Sequence, residues 1–134
     1  MNPILSLNTA IYAALLGFLG AALTINVILN RVRSGINAGD GGVPALAQAI
    51  RAHANFVEQA PIALIVLGLA EASGARGLVV NILGVALIAA RLASAYALNR
   101  TLAQSPLRQF GGGVSVLIPA AASLVLLLAF DGVR

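Results

Sequence analysis

The chain has 134 residues, 60% of them hydrophobic and 9% charged, and its mean hydropathy is +0.97. A soluble domain carries roughly 25% charged residues, so the composition excludes an ordinary soluble fold and indicates an all-α, polytopic membrane protein of about four spans. The net charge of +4 comes from arginines alone, scattered rather than gathered into a nucleic-acid-binding stripe, and with no cysteine and one histidine (His53) the chain excludes disulfides, thiolate metal sites and a histidine metal cluster within one copy.

The first span is expected over about residues 4–30. Met1 to Leu7 has no basic region and the apolar run is too long for a cleaved leader, so this span is expected to remain in the mature protein. It ends at Arg31 and Arg33, which can snorkel to the interface. A polar loop follows, Ser34 to Val43, with the turn Gly39-Asp40-Gly41-Gly42. The second span is expected over 44–72, opening on Pro44, whose missing N–H costs nothing in a first helical turn. It ends before Gly74, a helix-stopping residue in the turn Ser73-Gly74-Ala75-Arg76-Gly77. The third span is expected over 78–99, then a loop from Arg100 to Arg108, and the fourth over 109–130. The ten-residue alternating segments of a transmembrane barrel are missing. Small residues at helical spacing, among them Gly17, Gly68, Ala86, Ala89, Ala90 and Ala93, suit close helix packing.

Arginine counting sets the expected orientation. The loops after spans one and three share Arg31, Arg33, Arg100 and Arg108, while the other side holds Arg76 and Arg134. By the positive-inside rule, both termini face away from the cytoplasm.

The second span carries the chemistry. Gln48, Arg51, Asn55 and Glu58 fall within an arc of about 80° at 100° per residue, and Arg51–Asn55 and Asn55–Glu58 are surface neighbours at i,i+4 and i,i+3. Such a stripe cannot face lipid, where each charge costs about 2.5–3.5 kcal/mol at mid-membrane. It either forms a buried ion-pair network that fixes helix register or is half of a polar ligand site. Pro61 frees the carbonyl of Val57 and favours a kink beside Glu58; Pro119 does the same for Ser115. Arg91, deep in span three, has Glu58 as its expected charge partner. Arg31, Arg51, Arg91 and Arg108 outnumber Glu58, which suits an anionic ligand that also carries an ammonium group. Glu71 and Arg76 are expected only to pair or hydrate at their turn. Asp40 is expected to cap a helix or contact Arg108.

The run Arg51-Ala52-His53-Ala54-Asn55-Phe56-Val57-Glu58, with Pro61, Glu71 before a glycine turn, Arg31, the Gly39–Gly42 loop and Arg91, resembles the MAPEG superfamily (membrane-associated proteins in eicosanoid and glutathione metabolism). It is closest to a short bacterial subgroup similar to the microsomal glutathione transferases. The resemblance implies a homotrimer of four-helix protomers in a bacterial inner membrane, with glutathione bound between subunits. It further implies a glutathione-dependent transferase or peroxidase in which Arg51, His53, Asn55, Glu58 and Arg91 bind glutathione, Arg108 or Arg31 activates its thiol, and a lipophilic electrophile arrives from the membrane lipids. The family's eicosanoid enzymes carry tyrosines on helix three; Ser94 and Leu98 stand there, and Tyr96 points about 140° away from Arg91. Gln59 stands where the leukotriene synthase has another tyrosine. A non-catalytic membrane protein binding a lipid or a partner protein is the alternative, and a small ion-handling transporter component a third reading.

Overall fold

The computed structural model describes residues 8–103 and 106–131, and side chains within those except Arg108, Phe130 and Asp131. Four helices follow in order: α1 (Thr9–Ser34), α2 (Pro44–Ala72), α3 (Gly77–Arg100) and α4 (Pro106–Asp131). Each contains a stretch long and apolar enough to cross a membrane. The described chain is therefore all-helical, with four helices of membrane-spanning length, as its composition requires.

Local chemistry explains the boundaries. α1 continues past the expected end at Asn30 as far as Ser34, because Arg31 and Arg33 favour the negative end of the helix dipole. It stops at Gly35, which adopts φ +70° and donates its N–H to the Arg31 carbonyl. α4 begins at Pro106, three residues before the expected Gln109, because proline loses nothing at a helix start. α2 matches its expected bounds and stops before Gly74, at φ +93°. The expected start of span one lies partly outside the described residues, as do the last three residues.

The helices pack around an interior of small and aliphatic side chains, including Leu16, Ala63, Leu87, Ala90 and Ile118. Glycine permits the closest approaches. A Cβ at Gly84 on α3 would collide with the Tyr12 ring of α1, and one at Gly111 on α4 would collide with the Ser94 hydroxyl and sit 3.1 Å from the Ala90 carbonyl. Polar clips join the helices near both ends. The Tyr12 hydroxyl donates to Asn81 Oδ1 at 2.7 Å, and Asn26 Nδ2 donates to Asn99 Oδ1 at 2.8 Å.

Glu71 corrects the expectation that it merely hydrates. Its carboxylate accepts four hydrogen bonds from the start of α1: the backbone N–H groups of Asn8 and Thr9 at 2.7 and 2.8 Å, and their side chains at 2.6 and 2.7 Å. An anion on unsatisfied N–H groups at the positive end of a helix dipole is favourable on both counts.

Candidate functional site

The stripe lies on the outside of the four-helix bundle. The buried residues of α2 are Leu46, Ala49, Ala52, Ala60, Ala63, Leu67 and Ala70. At 100° per residue they centre roughly 130° from the stripe. The side chains of Arg51 and Glu58 are accordingly 47% and 51% exposed. Glu58 is fourteen residues into a helix of 29, close to its midpoint. An ion pair at that depth therefore stands on the outer wall of the bundle.

Glu58 pairs with Arg51, at 3.3 Å, and not with Arg91 as the sequence suggested. The two residues are seven apart on one helix face, so neither has to cross the bundle. Arg91 instead occupies the interior at 1% exposure and reaches its partners through the gaps between helices. Its Nη1 donates to the side-chain Oδ1 of Asn55 at 3.1 Å and to the Asn55 carbonyl at 3.3 Å. Its Nη2 donates to the Gly111 carbonyl on α4 at 3.2 Å. Its Nε is buried without a partner, and no carboxylate reaches it among the described residues. The Gly111 carbonyl is within reach because glycine lets α4 approach α3 at Ala90 and Ser94. Gly111 was not singled out in the sequence, although Gly111-Gly112-Gly113 marks a place where helices can approach closely.

Toward the end of the bundle that carries the 35–43 loop and the C-terminal end of α3, an open groove of about 410 Å³ adjoins the stripe. Asp40, Ala47, Ile50, Arg51, Ala54 and Leu102 line it. Asp40 also folds its own loop, accepting the Gly42 N–H at 3.0 Å. It does not cap α2, whose N-cap is Val43. Arg31 secures the same loop, its Nη1 donating to the carbonyls of Ile36 at 3.2 Å and Gly39 at 3.0 Å. Gln48, the first member of the stripe, donates to the Arg100 carbonyl at the end of α3 at 3.3 Å.

The structure thus brings Arg51, Asn55 and Glu58 onto one face, with Arg91 directly behind Asn55. His53 is half-buried off that face and has no hydrogen-bond partner among the described residues. Arg31 is in the last turn of α1, and its guanidinium is held by the loop carbonyls of Ile36 and Gly39. Arg108 is in the first turn of α4, and its side chain is outside the described residues. Ser94 and Leu98 are buried in the bundle at 4% and 2%, whereas Tyr96 is exposed and carries the Arg100 guanidinium over its ring at 5.1 Å.

The described arrangement combines a fixed cation, an amide and a carboxylate on an exposed helix face. It can bind a zwitterionic or polyanionic molecule through guanidinium–carboxylate and carboxylate–ammonium contacts.

A family model described as the MAPEG family matches residues 9–128. The inner membrane protein YecN of Escherichia coli K12 is 36% identical over 94 residues, covering 70% of this chain and 72% of that protein. YecN of Escherichia coli O6:H1 (strain CFT073) matches to the same extent. No solved structure matches the chain. With a family match over nearly its whole length, a relative similar over most of both chains, and four helices of membrane-spanning length, this integral membrane protein belongs to the MAPEG family.

Proposed function

We propose that the protein binds glutathione at the Arg51–Asn55–Glu58 face and transfers it to a lipophilic electrophile dissolved in the membrane. The observation that carries this reading is the half-exposed ion pair on the outer wall of a membrane helix. Lipid cannot cover that face without a cost of about 2.5–3.5 kcal/mol per central charge. A second copy of the chain together with a charged ligand can. The assembly proposed is a homotrimer in the bacterial inner membrane, with the stripe turned toward a neighbouring protomer and both termini away from the cytoplasm.

Glutathione matches the stripe chemically. It carries two carboxylates, one ammonium and a thiol. Arg51 provides a fork for a carboxylate, Asn55 a polar contact and Glu58 an acceptor for the ammonium. Thiol activation falls to Arg108 or Arg31, since a guanidinium beside sulfur favours the thiolate as the thiol proton passes to water. The thiolate then attacks the electrophilic carbon, forming the C–S bond as the leaving group departs or the adjacent π bond takes up the electron pair. The chain needs no cysteine of its own, because the ligand supplies the nucleophile.

One observation favours a second reading. Ser94 and Leu98 have no ring hydroxyl to offer the stripe, and both lie in the bundle interior. A non-catalytic protein holding an anionic lipid or a partner through the same face fits this feature. Calorimetric titration of the detergent-purified protein with glutathione tests the first reading. Millimolar glutathione should bind, and conjugation of a small aromatic electrophile should disappear in Arg108→Ala. Absence of any binding heat or thermal stabilisation at that concentration sinks it.

A further inference from the structure

Arg91 is well inside the membrane-spanning bundle, and its charge is not neutralised by a carboxylate among the described residues. Its fork is committed to Asn55 on one side and to the Gly111 carbonyl on the other. At 1% exposure it is closed off from solvent, and the stripe residue it touches is Asn55. A ligand on that face meets Asn55 first.

The chemistry of arginine fixes what the ligand meets. Guanidinium can only donate hydrogen bonds. The Asn55 atom turned toward Arg91 must therefore be the oxygen, which leaves the Nδ2 group turned away. No described residue accepts from that group. Without Arg91 the carboxamide would be free to flip, since its two ends have almost the same shape. With Arg91 in place, Asn55 offers two N–H donors between the Arg51 cation and the Glu58 carboxylate. Such a face reads, in order, an anion, a hydrogen-bond acceptor and a cation.

We infer that Arg91 is a positioning residue that locks the Asn55 carboxamide with its N–H donors outward, so that the stripe selects ligands presenting a carboxylate or amide carbonyl acceptor at Asn55. This rests on the stripe being the ligand site. It assigns Arg91 an action through Asn55 instead of a contact of its own, and it gives Gly111 the task of holding the other half of the fork. It also gives the central position of the stripe a defined polarity: an acceptor binds there and a donor is rejected.

The test is a double-mutant cycle on the full-length protein in detergent, with glutathione as the titrant. Arg91→Met should weaken binding about tenfold in the wild-type background, the loss expected for a hydrogen bond to a charged ligand. In an Asn55→Ala background the same change should have almost no further effect, because the residue it acts through is gone. Equal losses in both backgrounds would mean direct contact and overturn the proposal. Arg91→Lys, which keeps a cation and donor, should restore part of the affinity. Asn55→Asp provides a variant that does not depend on removing the arginine. It keeps the acceptor facing Arg91, so the thermal midpoint should hold or rise, while the outward donors are lost and glutathione binding falls at least tenfold. Wild-type affinity in Asn55→Asp overturns the proposal.

A second readout stands apart from glutathione. The carboxamide signal of Asn55 in protein labelled with ¹⁵N-asparagine, assigned by its loss in Asn55→Ala, should move in Arg91→Met and return toward its wild-type position in Arg91→Lys. A signal unmoved by Arg91→Met overturns the positioning role. If wild-type protein fails to bind glutathione, the functional reading falls and this signal alone decides whether Arg91 holds Asn55.

Discussion

At the residue scale, the charges divide into those that work in place and those that remain available. Glu71 works in place, holding the first turn of α1 through four hydrogen bonds. Glu71→Gln keeps the shape but loses the charge, the preference for the helix dipole and half the acceptor capacity. It should destabilise the protein by about 1–3 kcal/mol, seen as a lower thermal midpoint in detergent, with glutathione affinity unchanged because the residue is at the opposite end of α2 from Arg51. Arg51 and Glu58 have each other and solvent-accessible surface, and no further hydrogen bond among the described residues. Arg51→Ala and Glu58→Gln each break this one contact. Each should weaken glutathione about tenfold or more, measured calorimetrically, because each removes a charged contact to the ligand. The Arg51–Asn55–Glu58 spacing was legible in the sequence, since i,i+3 and i,i+4 neighbours on a helix are fixed by helix geometry alone. The partner of Arg91 was not, because it depends on how α2, α3 and α4 approach one another.

At the scale of elements, glycines determine how closely the helices meet. Gly84 and Gly111 face a Tyr12 ring and a Ser94–Ala90 ledge, with no room for a methyl group, whereas Gly112 and Gly113 have nothing nearby. Gly84→Ala and Gly111→Ala should each cost about 1–3 kcal/mol through overpacking. Gly113→Ala should be neutral or slightly stabilising, since alanine is the better helix former by about 1 kcal/mol. Thermal unfolding of the three variants side by side checks the contrast. Gly111→Ala should also weaken glutathione binding if the Gly111 carbonyl holds Arg91 in register. Helix existence followed from hydropathy, and α2 was bounded correctly because Pro44 and Gly74 are strong punctuation. Two helices extend beyond the expected spans, α1 past Asn30 and α4 before Gln109, while the apolar stretch of α4 itself begins at Gln109. Arginines at a helix C-terminus and proline at a helix start are favourable where they stand.

At the scale of the whole molecule, α2 turns its small apolar residues inward and its charged residues outward. In a single copy this leaves the Arg51–Glu58 pair half-exposed on the outer wall of the bundle, which is the basis of the proposed trimer. Native mass spectrometry from mild detergent should give a mass of three chains, and a single-chain mass at all protein concentrations would contradict the assembly. The ends of α1 and α3 and the starts of α2 and α4 share one face of the bundle, which gathers Arg31, Arg33 and Arg100 there. A reporter active only in the cytoplasm should be silent when fused at Arg134 and active when inserted in the 35–43 loop. The reverse pattern would invert the topology.

The sequence by itself determined that the chain is a helical membrane protein, that it has four spans, and that Arg51, Asn55 and Glu58 share one face. These follow from composition and helical period, which are local properties. It also carried the resemblance that the family comparison established. Only the tertiary structure decided that this face lies outside the bundle, that Glu58 is engaged by Arg51, and that Glu71 caps α1. It alone put Arg91 behind Asn55, its guanidinium shared with the Gly111 carbonyl. Hydrogen-bond partners across helices depend on rotation and separation, and those were fixed here by where glycine allowed the backbones to meet.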